Sequence, residues 1–536
     1  MCKAGSGRSR GGVRVLRYGT PLLRIQSVLL LAGLSLCPAS QAAESAQRIQ
    51  ELIQKGDLGA AQTLLRQSLE KSPRDGGLYN LQGVIRAQQG DSDGSEASFK
   101  KALELAPRLE GAYLNLGHLY QERVPKEPAA RDNALRVYAQ LLSFEPDNNE
   151  ANYQSAVLLM QKERYASSLQ HLSKLPPDVR ARSQVLSVRC GDYAGSGDKA
   201  KAAEVADQML RSPALVEADV TTLLPLLARQ KKTTLAVRLL EGLEKRELAS
   251  FASVHSLGLL YRQERRLEEA RRVLLQAAQI QPASVPVLLE LAQVANDQHD
   301  STGALGYLAH ARDLEPHNAA IHFFWGMVCV EQNLTHEAFD ALAKAVSLEP
   351  NNAYYNYALG AVALTSDQAR QAIPYFQKYC ELRPNDPRGR LALGIAYFDN
   401  HDDDNALNTI EPIEDNPDTA AGAHYYLGRI ANQKGDYEEA MRQLQRALQS
   451  YPDYADAYAE LGLIHLKRKE YPQAEAALDR ALQINPTGYV ANLNLMILYQ
   501  RTKDPREEKQ AKRFEQVKEV RAKRMKEFLR TIKVEP

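Results

Sequence analysis

The side chains able to do chemistry in this sequence are few and scattered. Beyond residue 42 the thiols are Cys190, Cys329 and Cys380, an odd number without C-x-x-C spacing. Cys190 and Cys329 fall on positions that recur along the chain as small or core sites, so they read as packing residues and not as metal or redox groups. His401-Asp402-Asp403-Asp404 is the densest set of possible cation ligands, and Asp91-Ser92-Asp93-Gly94 is a second. Neither has the full spacing of a calcium loop, which needs a sixth-position glycine and a closing glutamate. Both sit where one helix is expected to turn into the next, a place for Asp and Gly as caps and turn formers. Gly191 to Gly197 (GDYAGSG) is glycine-rich, yet no Gly-Lys-Ser/Thr follows and no strand precedes it, so a turn is expected there. There is no H-E-x-x-H or zinc spacing, and the histidines are dispersed. The expectation is a non-enzymatic protein with no catalytic residue, no cofactor and no metal.

What the sequence has in abundance is repetition. From Phe251 to Asp386 one pattern is written four times at a spacing of 34 residues, closed by Pro282, Pro316, Pro350 and Pro384. Small residues recur at Gly258, Ala292, Gly326 and Gly360, then at Ala270, Ala304, Ala338 and Ala372. Leu274, Leu308, Leu342 and Phe376 follow four residues after the second set. Such a period predicts a repeated helix-turn-helix. Two antiparallel helices approach closely only where small residues meet, and a large apolar residue one turn later fills the space beside them. Each closing proline stops the second helix, so the next pair stacks on the last and covers its apolar face. Extended over the chain, the same ruler gives thirteen complete units. Their second-helix small site is Ala or Ser throughout: Ala61, Ser95, Ala134, Ser168, Ala202, Ala236, Ala270, Ala304, Ala338, Ala372, Ala406, Ala440 and Ala474.

These positions resemble the tetratricopeptide repeat family over residues 43 to about 500. The resemblance implies an all-α fold, a right-handed α-solenoid of about thirteen 34-residue helix-turn-helix repeats whose first helices line a concave groove for extended peptides or helices. Three repeats are expected in 43–148, with a five-residue insertion in the turn at 122–132, where it leaves the stack intact. Residues 149–250 are expected to be irregular repeats, because Leu224 and Pro225 stand where a small first-helix residue is needed. Residues 251–500 are regular repeats, except that Pro412 should kink or shorten a second helix. Residues 501–536, basic and free of Gly, form a helix that can cap the last apolar face. The alternative use of that basic helix is contact with an anionic membrane surface or an acidic partner.

Charge separates the chain into three parts. Residues 1–42 hold six basic and no acidic groups, the segment from 501 holds thirteen basic and seven acidic, and the body between carries a net of about −11. Nucleic acid is therefore not an expected partner, since phosphate binding needs a positive surface. Residues 1–42 read as a secretory signal peptide: Lys3 to Arg24 basic, Ser27 to Leu36 apolar, and Ser40-Gln41-Ala42 a small-x-small cleavage signal. The apolar run is about half the roughly 20 residues that span a bilayer. A periplasmic or secreted protein is expected, with a retained membrane anchor as the alternative.

In the family the second, fifth, ninth and twelfth positions of each first helix face the groove. In most repeats these are mixed or polar, as at Asn80, Gln121, Gln293 and Asn296. Across 319–432 they become Phe323, Met327 and Val330, then Tyr354, Tyr357 and Leu364, then Leu391, Ile395 and Phe398, then Tyr425 and Arg429. The resemblance makes this stripe a protein-interaction patch with aromatic anchors and with Arg429 available to a carboxylate, the alternative being that some of the rings pack between neighbouring first helices. The implied function is a scaffold or adaptor for protein partners in envelope assembly or secretion. The alternative is a regulatory or substrate-binding subunit of a glycosyltransferase or polysaccharide-export complex.

Overall fold

The computed structural model describes residues 41–366 and 368–530, with side chains from 44 to 366 and from 368 to 518. The leader expected over 1–42 lies outside the described residues, apart from its last two backbone positions, which open the helix Gln41–Gln54. Among the described residues every regular element is helical, and none is long and apolar enough to cross a membrane. The described residues divide into two compact units, one up to Ser250 and one from Phe251.

One packing rule builds both units. All thirteen small second-helix sites are at most 5 % exposed, and the tightest positions on the first helices are glycines. A Cβ on Gly258 would lie 2.6 Å from Leu274, on Gly394 2.3 Å from Ile410 and on Gly462 2.5 Å from Leu478, inside contact distance in each case. The glycine thus makes room for the large residue that follows the partner helix's alanine, and that residue is fully buried. Where serine replaces the alanine, its hydroxyl donates to the facing backbone: Ser95 to the Gly83 carbonyl at 2.8 Å and Ser168 to that of Ala156 at 2.9 Å. The buried polar atom is satisfied without a change of spacing.

The turns obey a second rule, invisible in the residue types. Glu163, Lys231, Arg265, His299, Asn333, His401 and Lys469 all have φ near +60°, and Gly197 and Gly435 fall on the same 34-residue ruler. The left-handed residue reverses the chain between the helices of a pair, and any residue type is tolerated there at some cost. Helix starts are fixed by side chains: Asp300 accepts from Gly303 N–H, Asn352 from Tyr354 N–H, and Asp402, in the acidic cluster, from Asn405 N–H.

In the first unit, three hairpins run from Gln41–Gln54 with Leu58–Lys71 to Glu110–Arg123 with Ala130–Phe144, the last pair joined by the longer turn. Next, Asn149–Gln161 pairs with a short second helix, Tyr165–Ser173, after which Pro176-Pro177 opens the separate turn Pro177–Arg180. Ser183–Ser196 with Lys199–Arg211 follows. The first helix of the final repeat is broken into Glu217–Thr221 and Leu224–Arg229, with Pro225 at the start of the second piece.

The glycine-rich segment departs from expectation. Residues 191–196 are helical, and only Gly197 turns, with φ +87°. Gly191 and Gly195 are there for closeness: a Cβ would lie 2.5 Å from the Met160 sulfur and 2.2 Å from the Tyr165 ring. Between them Asp192 is fully buried, its Oδ2 2.6 Å from Ser168 Oγ, and its Oδ1 has no partner. Since the single Ser168 hydroxyl proton serves the Ala156 carbonyl, the contact is best made by a protonated Asp192 donating to Ser168. Burial pushes the Asp192 carboxyl up to about 8, consistent with the neutral form.

In the second unit, seven hairpins run from Phe251–Gln263 with Leu267–Ile280 to Ala455–Lys467 with Tyr471–Ile484, then Tyr489–Thr502 and the terminal helix Glu507–Arg530. Pro412 ends its helix at Ile410 and leaves a 3-10 turn, Glu411–Ile413. Pro374, by contrast, is carried inside the full-length helix Ala369–Leu382, which the sequence pattern did not flag. The terminal helix covers Tyr489–Thr502 as a cap: Phe514 and Val517 are buried, the Phe514 ring lies 5.0 Å from Tyr489, and Gln510 donates to Asn492. It also comes to lie against Ala319–Glu331 and Ala353–Thr365, two successive first helices.

Candidate protein-binding stripe

The four first helices Ala319–Glu331, Ala353–Thr365, Pro387–Asp399 and Ala420–Lys434 carry the expected stripe, and its members differ in what they offer to solvent. Tyr354 is the most open, 40 % exposed, with the Arg383 guanidinium 5.4 Å from its ring centre. Phe323, Met327, Tyr357, Leu364, Leu391, Ile395, Tyr425 and Arg429 are half-buried. Val330 and Phe398, at 1 % and 3 % exposed, are not available as anchors. Val330 is covered within the cluster it shares with Cys329 and Leu342. Phe398 lies under the Arg429 guanidinium at 4.5 Å and against Tyr426 at 5.6 Å.

The rings form two groups. Phe323 stacks on Tyr355, centroids 4.8 Å apart, which ties one first helix to the next. Tyr357 turns toward the second helix of its own pair, meeting Phe376 at 5.5 Å and Tyr379 at 5.0 Å, so it belongs as much to the core as to the surface. Farther along, Phe398, Tyr426, Tyr425, Tyr454 and Tyr451 run in unbroken contact at 4.9 to 5.9 Å. Arg429 stands over three of these rings. Burial pushes the Tyr426 phenol up to about 12, and Tyr425 and Tyr454 higher still, so all three are neutral at physiological pH.

The arginine differs from its expected role in one respect. Its guanidinium is already engaged by the protein's own rings, 4.5 Å from the centre of Phe398, 5.4 Å from that of Tyr426 and 5.7 Å from that of Tyr425. Tyr355, Tyr426, Tyr451 and Tyr454 complete the aromatic chain and were not among the expected residues. The paired tyrosines at 354–355 and 425–426 were the available signal, because one member of each pair must face a neighbouring helix.

Elsewhere the first helices satisfy each other. Asn115 donates to Asn80 at 3.0 Å, and Gln121 donates to Tyr138 and Gln154, both at 3.1 Å. Arg262 pairs with Glu290 at 3.0 Å and bonds Gln293, and at the far end of the stripe itself Asn432 still donates to Glu460. The thiols fit a packing role: burial pushes Cys190 up to about 12 and Cys329 to about 11, so neither is a nucleophile at neutral pH.

Family models described as Tetratricopeptide repeat match residues 47–110, 252–284, 331–387, 391–453 and 431–507, together about half of the chain. No curated protein sequence matches it. Among solved structures, the chain is similar to Naa15/Naa10 bound to HypK-THB, at 14 % identity over 89 % of this chain and 99 % of that one, with a TM-score of 0.36. It is similar to pilF of Pseudomonas aeruginosa at 24 % identity over 38 % and 92 %, TM-score 0.32. A tetratricopeptide repeat protein from Parabacteroides merdae is 17 % identical over 46 % and 98 %, TM-score 0.39. By its matched segments and its thirteen helix pairs, all but one of them 34 residues from the next, the chain belongs to the tetratricopeptide repeat family, whose repeats serve as protein-interaction scaffolds.

Proposed function

We propose that this protein is an exported, non-enzymatic adaptor that holds peptide or helical segments of partner proteins along the first helices of its second unit, in envelope assembly or secretion. The observation that carries the reading is the change of chemistry between 319 and 434. There most of the polar side chains that join first helices elsewhere give way to half-buried rings, an open Tyr354 and an Arg429 set among three rings. Partly exposed aromatics and arginine on a preformed surface are the residues that dominate protein interfaces. The terminal helix lying against two of these first helices supports a surface suited to a helical occupant. Export rests on the basic, apolar and small-residue order of residues 1–42.

The test pairs location with capture. N-terminal sequencing of the native protein should find a chain beginning at or near Ala43 in the periplasmic or extracellular fraction; a retained Met1 in the cytoplasm contradicts export. Affinity capture with the intact protein and with a Met327→Ser/Tyr354→Ser variant should retain a defined protein with the first and lose it with the second. Equal retention by both contradicts the stripe.

A further inference from the structure

The first unit holds an open concavity of about 520 Å³ at its irregular repeats. It opens where Pro176-Pro177 cuts short the second helix of one repeat and sends the turn Pro177–Arg180 across its end. The opposite wall comes from Leu186 and Arg189 on Ser183–Ser196, and from Gln208 and Arg211 at the end of Lys199–Arg211. Three arginines, Arg180, Arg189 and Arg211, thus line one hollow, and no acidic residue lines it with them.

Their isolation is the informative feature. The body of the chain is acidic, with a net charge of about −11 over residues 43–500. Close by, Arg238 pairs with Asp207 and Arg246 donates to the Leu210 and Ser212 carbonyls. Among the described residues, none of the three guanidinium groups in the hollow makes an ion pair or hydrogen bond. Arg180 and Arg189 are also half-buried, so part of their hydration is already removed. Like charges gathered without a counter-charge repel one another, and an anion that enters relieves the repulsion. Guanidinium forks match the paired oxygens of phosphate and carboxylate.

We propose that this hollow binds a small polyanion bearing at least two phosphate or carboxylate groups. Its volume suits a small molecule. The site is independent of the stripe on the second unit, so either can fail without the other.

Isothermal titration of the intact protein with tripolyphosphate and, separately, with citrate tests it at 0.15 M and 0.5 M salt. Saturable one-to-one binding is expected, weakened at the higher salt. Binding of tripolyphosphate alone assigns a phosphate ligand, and binding of citrate alone or of both assigns carboxylate competence. Arg189→Gln and Arg211→Gln should each weaken binding by about ten-fold or more, whereas Arg66→Gln, on an exposed helix of the same unit, should leave it unchanged. Arg211 is exposed, so its variant tests the site without disturbing the fold. Absence of saturable binding to both probes overturns the proposal, as does an equal loss in Arg66→Gln.

Discussion

Residues 149–250 and 319–434 are built from the same small-site rule and yet present opposite chemistry. In the first region prolines and a misplaced leucine break the helices, and the consequences are local: a hollow lined by arginines and a buried acid, Asp192, fitted between two glycines. In the second the four first helices are unbroken, so side chains one repeat apart come into register and rings join helix to helix from Phe398 to Tyr451. The difference teaches that unbroken first helices carry one surface from repeat to repeat, whereas an interrupted pair changes the surface only where the break falls.

The sharpest way to break the comparison is at Phe398. Because its ring is buried under Arg429 and Tyr426, Phe398→Ser should destabilise the second unit by about 3–5 kcal/mol, the cost of removing a core aromatic. Urea unfolding followed by tryptophan fluorescence reads this, since Trp325 lies in the second unit. A loss below about 1 kcal/mol would make Phe398 a surface anchor after all.

Asp192 sharpens the other side. Its folded-state carboxyl titrates near 8, above the unfolded value near 4, so the native state holds a proton that the unfolded chain gives up between those limits. Stability of the first unit is therefore full below about pH 4 and falls as pH rises toward 8, by up to about 1.4 kcal/mol per pH unit from this group. Asp192→Asn, which retains a donor to Ser168, should flatten that slope and raise the melting temperature at pH 8. A melting curve at pH 5 and pH 8 with the same slope in both proteins contradicts the buried neutral acid.

Much of this was legible beforehand, for a physical reason. Small sites such as Ala270 and Gly326 must be small in every repeat because a helix backbone passes there, and prolines such as Pro412 act on the chain locally. The left-handed turn at Lys231, His299 and His401 was not legible, because the demand falls on φ and not on the side chain. Neither was the burial of Val330 and Phe398: position on a lone helix gives a direction, but the cover comes from residues a repeat away, such as Arg429. The helix through Gly191 and Gly195 was hidden because closeness to Met160 and Tyr165 uses the same residue type as a turn.

A smaller effect is expected at Gly428, where a Cβ would lie 2.9 Å from Leu444 and 3.2 Å from the Ala440 carbonyl. Gly428→Ala should cost about 1–3 kcal/mol by overpacking, partly offset by alanine's better helix propensity. An increase in melting temperature would show that the pair has slack and that close approach does not hold the stripe in register. Smallest of all on stability is Tyr354→Ser, at most about 0.5 kcal/mol for a side chain this exposed, while partner capture should fall by about ten-fold or more if Tyr354 is an anchor.

The central claim, that proteins bind the aromatic first helices and not the polar ones, is tested most directly by a photo-crosslinking amino acid placed at position 354 or at position 80 and activated in intact cells that make the protein. The account predicts a discrete crosslinked protein from position 354, lost when Met327 is also changed to Ser, and none from position 80, whose Asn80 is already hydrogen-bonded to Asn115. Equal adducts from both positions, or adducts from position 80 alone, would contradict it.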